Sequence, residues 1–246
     1  MKVRELKNPP TISVITATFN AEKYLPRLIE SLRNQTDKDF SWIVADGGST
    51  DKTLEILKKA KDLRLTLTSQ ADFGIYDALN RGIKNVSSEY YIVMGADDRF
   101  NIDAIANYRN CARESNADII AAAVKVGDKI WYPRKNYGWL YGMAGVASSH
   151  SVGLLIRRSL HNKYGYYPKN LSITADQMFI KQALMKGASI YRDTFIAGEL
   201  NLTGFSSNSV IHFMAEFFTV QMKTERFRIF QICLFFLRLM KNFKHL

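Results

Sequence analysis

At 246 residues, with 47% hydrophobic and 23% charged side chains, the chain can bury one full α/β core, and its composition excludes a disordered protein. The formal net charge of +11 and pI near 9.6 favour anionic partners: nucleotide phosphates, nucleic acid or an acidic membrane surface. Two cysteines, Cys111 and Cys233, make no CxxC or Cys/His cluster, so no zinc site is visible and a reducing cytoplasm is expected.

The start, MKVRELKNPP, lacks the apolar core of a signal peptide. Thr11 to Thr18 is β-branched and predicts a first strand. Asn20 is placed to cap a helix in which Leu25, Leu28, Ile29 and Leu32 recur at helical spacing. Phe40 to Ala45 predicts a second strand, broken at Asp46-Gly47-Gly48-Ser49-Thr50-Asp51, with Ser49 or Asp51 capping the next helix. Leu63 to Thr68 predicts a third strand, and Asp72-Phe73-Gly74 opens a helix carrying Ile75, Ala78, Leu79 and Ile83.

Tyr90 to Met94 then predicts a buried strand ending at Gly95-Ala96-Asp97-Asp98. Two carboxylates at the C-terminal end of a core strand resist burial unless a cation, a ligand hydroxyl or water meets them. Ligands bind at that end of open α/β sheets. Hard oxygen ligands suit Mg²⁺ or Mn²⁺. The alternative is that Asp98 caps a helix beginning near Phe100.

Strand and helix alternate with short links, which predicts βαβ units on a parallel sheet. The Gly47-Gly48 turn is neither a GxGxxG nor a Walker loop. Ile102 to Ser115 predicts a helix, Asp118 to Val126 a strand, and Lys129 to Gly145 an aromatic loop or hairpin over the site. His150 precedes an apolar run, Val152 to Ile156, and is a candidate on the acceptor side. Ser172 to Gly187 predicts a loop and helix with Asp176 near its start, as a helix cap or as a functional acid.

From Val210 the chain is apolar and basic. Ile229 to Leu237, between Arg228 and Arg238, is too short to cross a bilayer, which takes roughly 20 apolar residues. It suits either an amphipathic helix on a membrane surface or a helix packed on the domain. The expected division is residues 1–209 for the α/β domain and 210–246 for the tail.

Five segments in order, SVITATFNAEKYL, IVADGGSTDKT, DFGIYDALNRG, YIVMGADD and TADQMFIKQALMKG, resemble the family 2 glycosyltransferases of GT-A fold, over roughly Ile12 to Gly187. The third is similar to bacterial enzymes of exopolysaccharide or O-antigen synthesis. The resemblance implies a Rossmann-like, mostly parallel sheet flanked by helices. It implies that Thr18, Phe19, Asn20 and Asp46 bind the donor nucleotide. Asp72, Gly74 and Asn80 would line the donor diphosphate and sugar. Asp97 and Asp98 would match the DxD element that binds ribose and metal, and Asp176 the catalytic base. Ala96 and Gly95 offer no strict DxD, and Ala175 replaces the Glu that usually precedes the base. A QxxRW element is missing, which argues against a processive synthase.

The function so implied is inverting, metal-dependent transfer from a nucleotide-sugar, taken as a UDP-sugar, to a lipid-linked or oligosaccharide acceptor. The expected place is the cytoplasmic face of the inner membrane, with an anionic membrane surface as partner and no nucleic acid. The competing readings are a metal-dependent nucleotidyltransferase and a nucleotide-sugar-binding protein without transferase activity.

Overall fold

Every strand of the first half has one side for each face of a single sheet. In Ile12–Thr18 (β1), Ile12 and Val14 face one core and Ile15 the other. In Phe40–Asp46 (β2), Phe40, Trp42 and Val44 oppose Ile43 in the same way, as do Tyr90 and Ile92 against Tyr91 and Val93 in Tyr90–Val93 (β4). A strand buried on both faces must be covered by helices on both sides. The computed structural model describes residues 11–135, 137–201 and 210–241. The basic start and residues 242–246 of the tail lie outside the described residues.

One face carries Leu25–Arg33 (α1), Thr53–Lys59 (α2) and Ala104–Ser115 (α4), through Leu25, Leu28, Leu57, Ala104 and Tyr108. The other carries Ile75–Lys84 (α3), Ser159–Tyr164 (α6), Ala175–Met185 (α7) and Val210–Thr224 (α8), through Leu79, Ile83, Leu160, Phe179 and Val220. Gly82 lets α3 lie close on β1: a Cβ there would stand 2.6 Å from the Ile15 methyl. The final helix, Arg228–Lys241 (α9), follows α8.

Leu65–Ser69 (β3), β2, β1 and β4 are all parallel, in that order across the sheet. Beyond β4 the sheet is mixed. Leu154–Arg157 (β8) runs antiparallel to β4 and to Ile119–Val126 (β6), while β6 pairs parallel with Ile190–Glu199 (β9). Arg99–Phe100 (β5) closes that edge against β9, and Lys129–Trp131 (β7) makes a hairpin with β6. The expected parallel sheet is therefore the nucleotide half, and the second half supplies a mixed extension. The aromatic loop after β7 holds a short helix, Gly138–Tyr141 (α5), and a 3₁₀ turn, Gly142–Gly145.

Two local expectations change. The first helix starts at Leu25, not beside Asn20, which instead takes the left-handed conformation (φ 48°) and turns the chain. The helix after the acid pair starts at Ala104, because Arg99 and Phe100 are drawn into a strand by β9. Asp98 therefore caps no helix.

Candidate active site

The first two βα turns are laced together by side chains. Asn20 Oδ1 accepts the Thr50 N–H at 2.9 Å, and the Asn20 N–H donates to Ser49 Oγ at 2.8 Å. Ala21 and Glu22 donate their backbone N–H groups to Thr53 Oγ1 and Asp51 Oδ2. Asp51 also accepts from the Thr53 N–H, but the N-cap of α2 is Lys52, so neither Ser49 nor Asp51 takes the cap position expected of it. Phe19 is left exposed at the mouth.

Asp46 is the centre of this turn. It is fully buried and accepts from Thr18 Oγ1, the Gly48 and Ser49 N–H groups, Ser49 Oγ and Ser69 Oγ, at 2.5–3.0 Å. Burial would raise its pKa, but the donors from Ser49, Ser69 and Thr18 outweigh that and hold the carboxyl below its usual range. Thr18, expected at the donor, is spent on Asp46.

Asp72 Oδ1 accepts the Gly74 N–H, and Arg81 lies 3.7 Å from Asp72 Oδ2 while donating to Asp46 O at 2.8 Å. Arg81 Nε and Nη1 are buried without a hydrogen-bond partner. A buried guanidinium with unmet donors beside these turns is a candidate anion-binding group, absent from the sequence expectations. Its position in the DFGIYDALNRG segment was the available signal. Asn80 is placed differently from the expectation. It is buried, and its amide exchanges two hydrogen bonds with the Tyr167 backbone, at 2.9 and 3.0 Å. It pins the Tyr167 segment and does not face the donor turns.

At the end of β4, the carboxylates of Asp97 and Asp98 converge over Gly95. A Cβ on Gly95 would stand 2.6 Å from Asp98 Oδ2 and 2.9 Å from Asp97 Oδ1. Asp98 is buried and accepts from Ser151 Oγ (2.6 Å), the Asn201 N–H (2.9 Å) and the Gly95 N–H (3.1 Å). Burial pushes its pKa up to about 6, with the Asp97 charge adding to the rise and the donors opposing it. Burial also pushes Asp97 up. The pair borders a cleft of about 260 Å³ with Glu199 and Asn201, and Arg27 and Arg99 line the same cleft.

Among the described residues no group of three His, Cys, Asp or Glu could hold a metal. The Asp97–Asp98 pair fits a Mg²⁺-like ion that draws its other ligands from phosphate and water.

Asp176 stands at the first turn of α7, as expected. Its Oδ1 accepts from Tyr76 OH and the Gln177 N–H, both at 2.8 Å. Its Oδ2 faces His150 Nδ1 at 3.5 Å. Ser151, next along the chain, is the residue that holds Asp98. Val152 follows with φ 64°, a left-handed conformation that is costly for a β-branched residue and marks a constrained segment. The structure thus joins His150, Asp176, Asp97 and Asp98 through one short stretch. The loop Ser172–Thr174 before Asp176 is held by Glu216 of α8, which accepts all three backbone N–H groups.

The family model described as "Glycosyl transferase family 2" matches residues 13–186. A "PGL/p-HBAD biosynthesis glycosyltransferase" of Mycobacterium bovis is 28% identical over 212 residues, covering 82% of this chain and 81% of its own. A "Cholesterol galactosyltransferase" of Borreliella burgdorferi is also 28% identical, covering 82% of this chain and 63% of its own. Among solved structures, S. aureus TarS 1-349 in complex with UDP-GlcNAc matches 95% of this chain and 73% of its own, with TM-score 0.69 and 20% identity. The mannosyltransferase PcManGT of Pyrobaculum calidifontis, in complex with GDP-Man and Mn²⁺, matches 89% and 66%, with TM-score 0.70 and 16% identity. The parallel nucleotide half, the mixed extension and the acids at the strand ends are those of a GT-A fold, and with the family match spanning β1 to α7 the chain belongs to glycosyl transferase family 2.

Proposed function

We propose that the protein is an inverting hexosyltransferase that moves a sugar from a UDP-sugar to a hydroxyl of a lipid-linked or oligosaccharide acceptor in cell-surface polysaccharide synthesis. The observation that carries this is the His150–Ser151 step: one residue faces Asp176 and the next holds Asp98. It sets a carboxylate able to take a proton beside a carboxylate pair able to meet a diphosphate and its metal.

In this reading Asp97 and Asp98 hold Mg²⁺ or Mn²⁺, which when bound stabilises the charge growing on the leaving diphosphate. Asp176 takes the proton of the acceptor hydroxyl. A single base without a covalent intermediate gives inversion at the anomeric carbon. The UDP-GlcNAc complex of TarS supports the donor class, and the Mn²⁺ complex of PcManGT supports the metal.

The membrane enters through α9. Ile229, Phe236, Leu237 and Met240 are exposed on it, next to Arg228 and Lys241. Among the described residues no helix is long and apolar enough to cross a membrane. We place the protein on the cytoplasmic leaflet by this surface.

The test is transfer from a panel of UDP-sugars with Mn²⁺ and with EDTA, reading the anomeric configuration of the product by NMR. A β-linked product from an α-linked donor, lost in EDTA, is expected. Retention of configuration overturns the single-base mechanism. Donor binding without turnover returns the chain to a silent binding protein.

A further inference from the structure

A line of hydrogen bonds runs from Asp176 into the core and ends on a backbone carbonyl. His161 Nδ1 lies 3.0 Å from Gly165 O. A carbonyl only accepts, so Nδ1 carries a proton. Burial, which pushes His161 down to about 4, keeps the ring neutral at pH 7. Its Nε2 therefore accepts, from Tyr91 OH at 2.6 Å. Tyr91 has then used its one proton, so its oxygen accepts from Tyr167 OH at 3.0 Å. Tyr167 has likewise used its proton, so it accepts from His150 Nε2 at 2.8 Å.

The direction of every bond is thus fixed by one carbonyl. His150 bears its proton on Nε2 and turns the Nδ1 lone pair toward Asp176 Oδ2, 3.5 Å away. Asp176 Oδ1 already has the Gln177 N–H, and the one Tyr76 proton is shared between Asp176 Oδ1 and Ile173 O, each 2.8 Å from the hydroxyl. Two acceptors face each other with no proton between them.

We propose that His150 is the positioning partner of Asp176, held by this chain with Nδ1 unprotonated so that Nδ1 and Oδ2 share the proton the acceptor hydroxyl gives up. The proposal rests on the reading of Asp176 as the base. The acceptor O–H bond breaks and its electron pair forms the bond to the anomeric carbon. The bond from that carbon to the diphosphate oxygen breaks, and its pair leaves with the nucleotide. The proton settles between Oδ2 and Nδ1, taking the pair from a net charge of −1 to zero, and passes to water after the product leaves.

The opposed lone pairs leave Oδ2 facing His150 Nδ1 at 3.5 Å, while the donors gather on Oδ1. Among the described residues, the titratable groups packed around the pair are these. Tyr76 of α3, Tyr91 of β4 and Tyr167 are kept neutral by burial, which pushes all three up. His161 of α6 is neutral. Glu216 of α8 is tied to the Ser172–Thr174 backbone. For His150 itself, burial lowers the pKa and the Asp176 charge opposes it, with burial prevailing.

Imidazole ¹⁵N NMR on the full chain reads the tautomer directly, and with four histidines the His150→Asn variant assigns the signal. The expected wild-type state at pH 7–8 is Nε2–H with bare Nδ1. Tyr91→Phe is the sharper probe, because Tyr91 touches neither Asp176 nor His150. It frees Tyr167 OH to donate to His150 Nε2. The tautomer should then flip to Nδ1–H, which donates to Asp176 and weakens the base. The acidic limb of kcat should move to lower pH, and turnover at neutral pH should fall roughly tenfold with KM for the donor unchanged.

An Nδ1–H tautomer in the wild type overturns the proposal, as does a Tyr91→Phe protein whose tautomer and acidic limb are both unmoved. If Tyr91→Phe does not fold, the wild-type tautomer decides. Retained turnover in Asp176→Asn, with His150 still Nε2–H, would remove the base reading, and with it any shared proton, while leaving the bond directions intact.

Discussion

Asp46 closes strand β2 and Asp176 opens helix α7, and the two aspartates live in opposite conditions. Asp46 is closed in by five protein donors, and its proton affinity is held down. Asp176 has donors on one oxygen and His150 Nδ1 3.5 Å from the other, the nitrogen that the proposed bond directions leave without a proton. A carboxylate saturated with donors is a poor base and a good brace. One left short of a proton is a base in waiting. The donors around each acid, more than its motif, separate the two roles.

The largest expected effect comes from neutralising the acid that is short of a proton. Asp176→Asn keeps the size and the Tyr76 contact but cannot take a proton. Turnover should fall roughly 10²–10⁴-fold, with donor affinity and melting temperature near those of the wild type. Turnover that survives would move the base elsewhere and erase the contrast.

Asp46→Asn tests the other side. The amide presents N–H where two or more donors already point, leaving them unmet in a buried site. The expected cost is about 3 kcal/mol of stability, read from denaturant midpoints. A variant as stable as the wild type would mean that the turn does not depend on the charge.

Acid separates the two regions without mutation. The folded-state pKa of His161 is about 4, below its ordinary 6.5. Between these values the unfolded chain takes a proton that the folded chain refuses. Stability is therefore full above about 6.5 and falls as the pH drops toward 4, by up to about 3 kcal/mol. The Asp46 contribution, with its folded pKa lowered, is lost only below the ordinary carboxylate value near 3.8. His161→Asn should flatten the loss between pH 6.5 and 4. An unchanged slope would show that the buried histidine is not its source.

Much of the donor side was legible in the sequence, because it is built from local signals. Short β-branched runs, a Gly-rich turn and helical spacing lie in chain order there, and β1 to β4 follow them closely. The surroundings of Asp176 are assembled from residues far apart. Tyr91 and His161 meet across 70 positions and Tyr76 and Asp176 across 100, and no periodicity announces either meeting. Strand β9 escaped notice because its pattern does not alternate: half-buried positions run through Ile190–Glu199. Yet β9 brings Asn201 to Asp98 and pulls Arg99 into a strand. Asn80 shows the converse limit. A motif position can be read correctly as part of the site's segment while its amide is turned inward to hold the backbone.

The smallest expected effect on stability concerns the two helices of the tail, which differ as the two aspartates do. Helix α8 buries Met214, Phe217 and Val220 and sends Glu216 to the loop beside Asp176. Lys181 of α7, its pKa lowered by burial, pairs with Glu225 just past the helix at 2.5 Å. Helix α9 buries only Gln231, which donates to Trp139 O at 2.9 Å, while Arg238 donates to Leu140 O at 2.6 Å. A chain ending at Arg226 loses those two bonds, the Gln221–Gln231 contact, the Phe218–Phe235 and Trp139–Phe230 ring pairs and Arg238 over the Phe217 ring, a measurable drop in denaturant midpoint. It should stay folded and transfer from soluble donor. If α9 is the membrane contact, the same cut should abolish co-sedimentation with anionic liposomes. In the intact chain that binding should weaken with salt, because near-surface basic residues each contribute about 1 kcal/mol within a Debye length. A cut before Val210 should instead unfold the loop that carries Asp176, because the Ser172–Thr174 N–H groups lose their acceptor. Binding that survives the Arg226 cut would assign the membrane contact to another surface, with the exposed aromatic loop around Trp131 and Tyr132 the next to test.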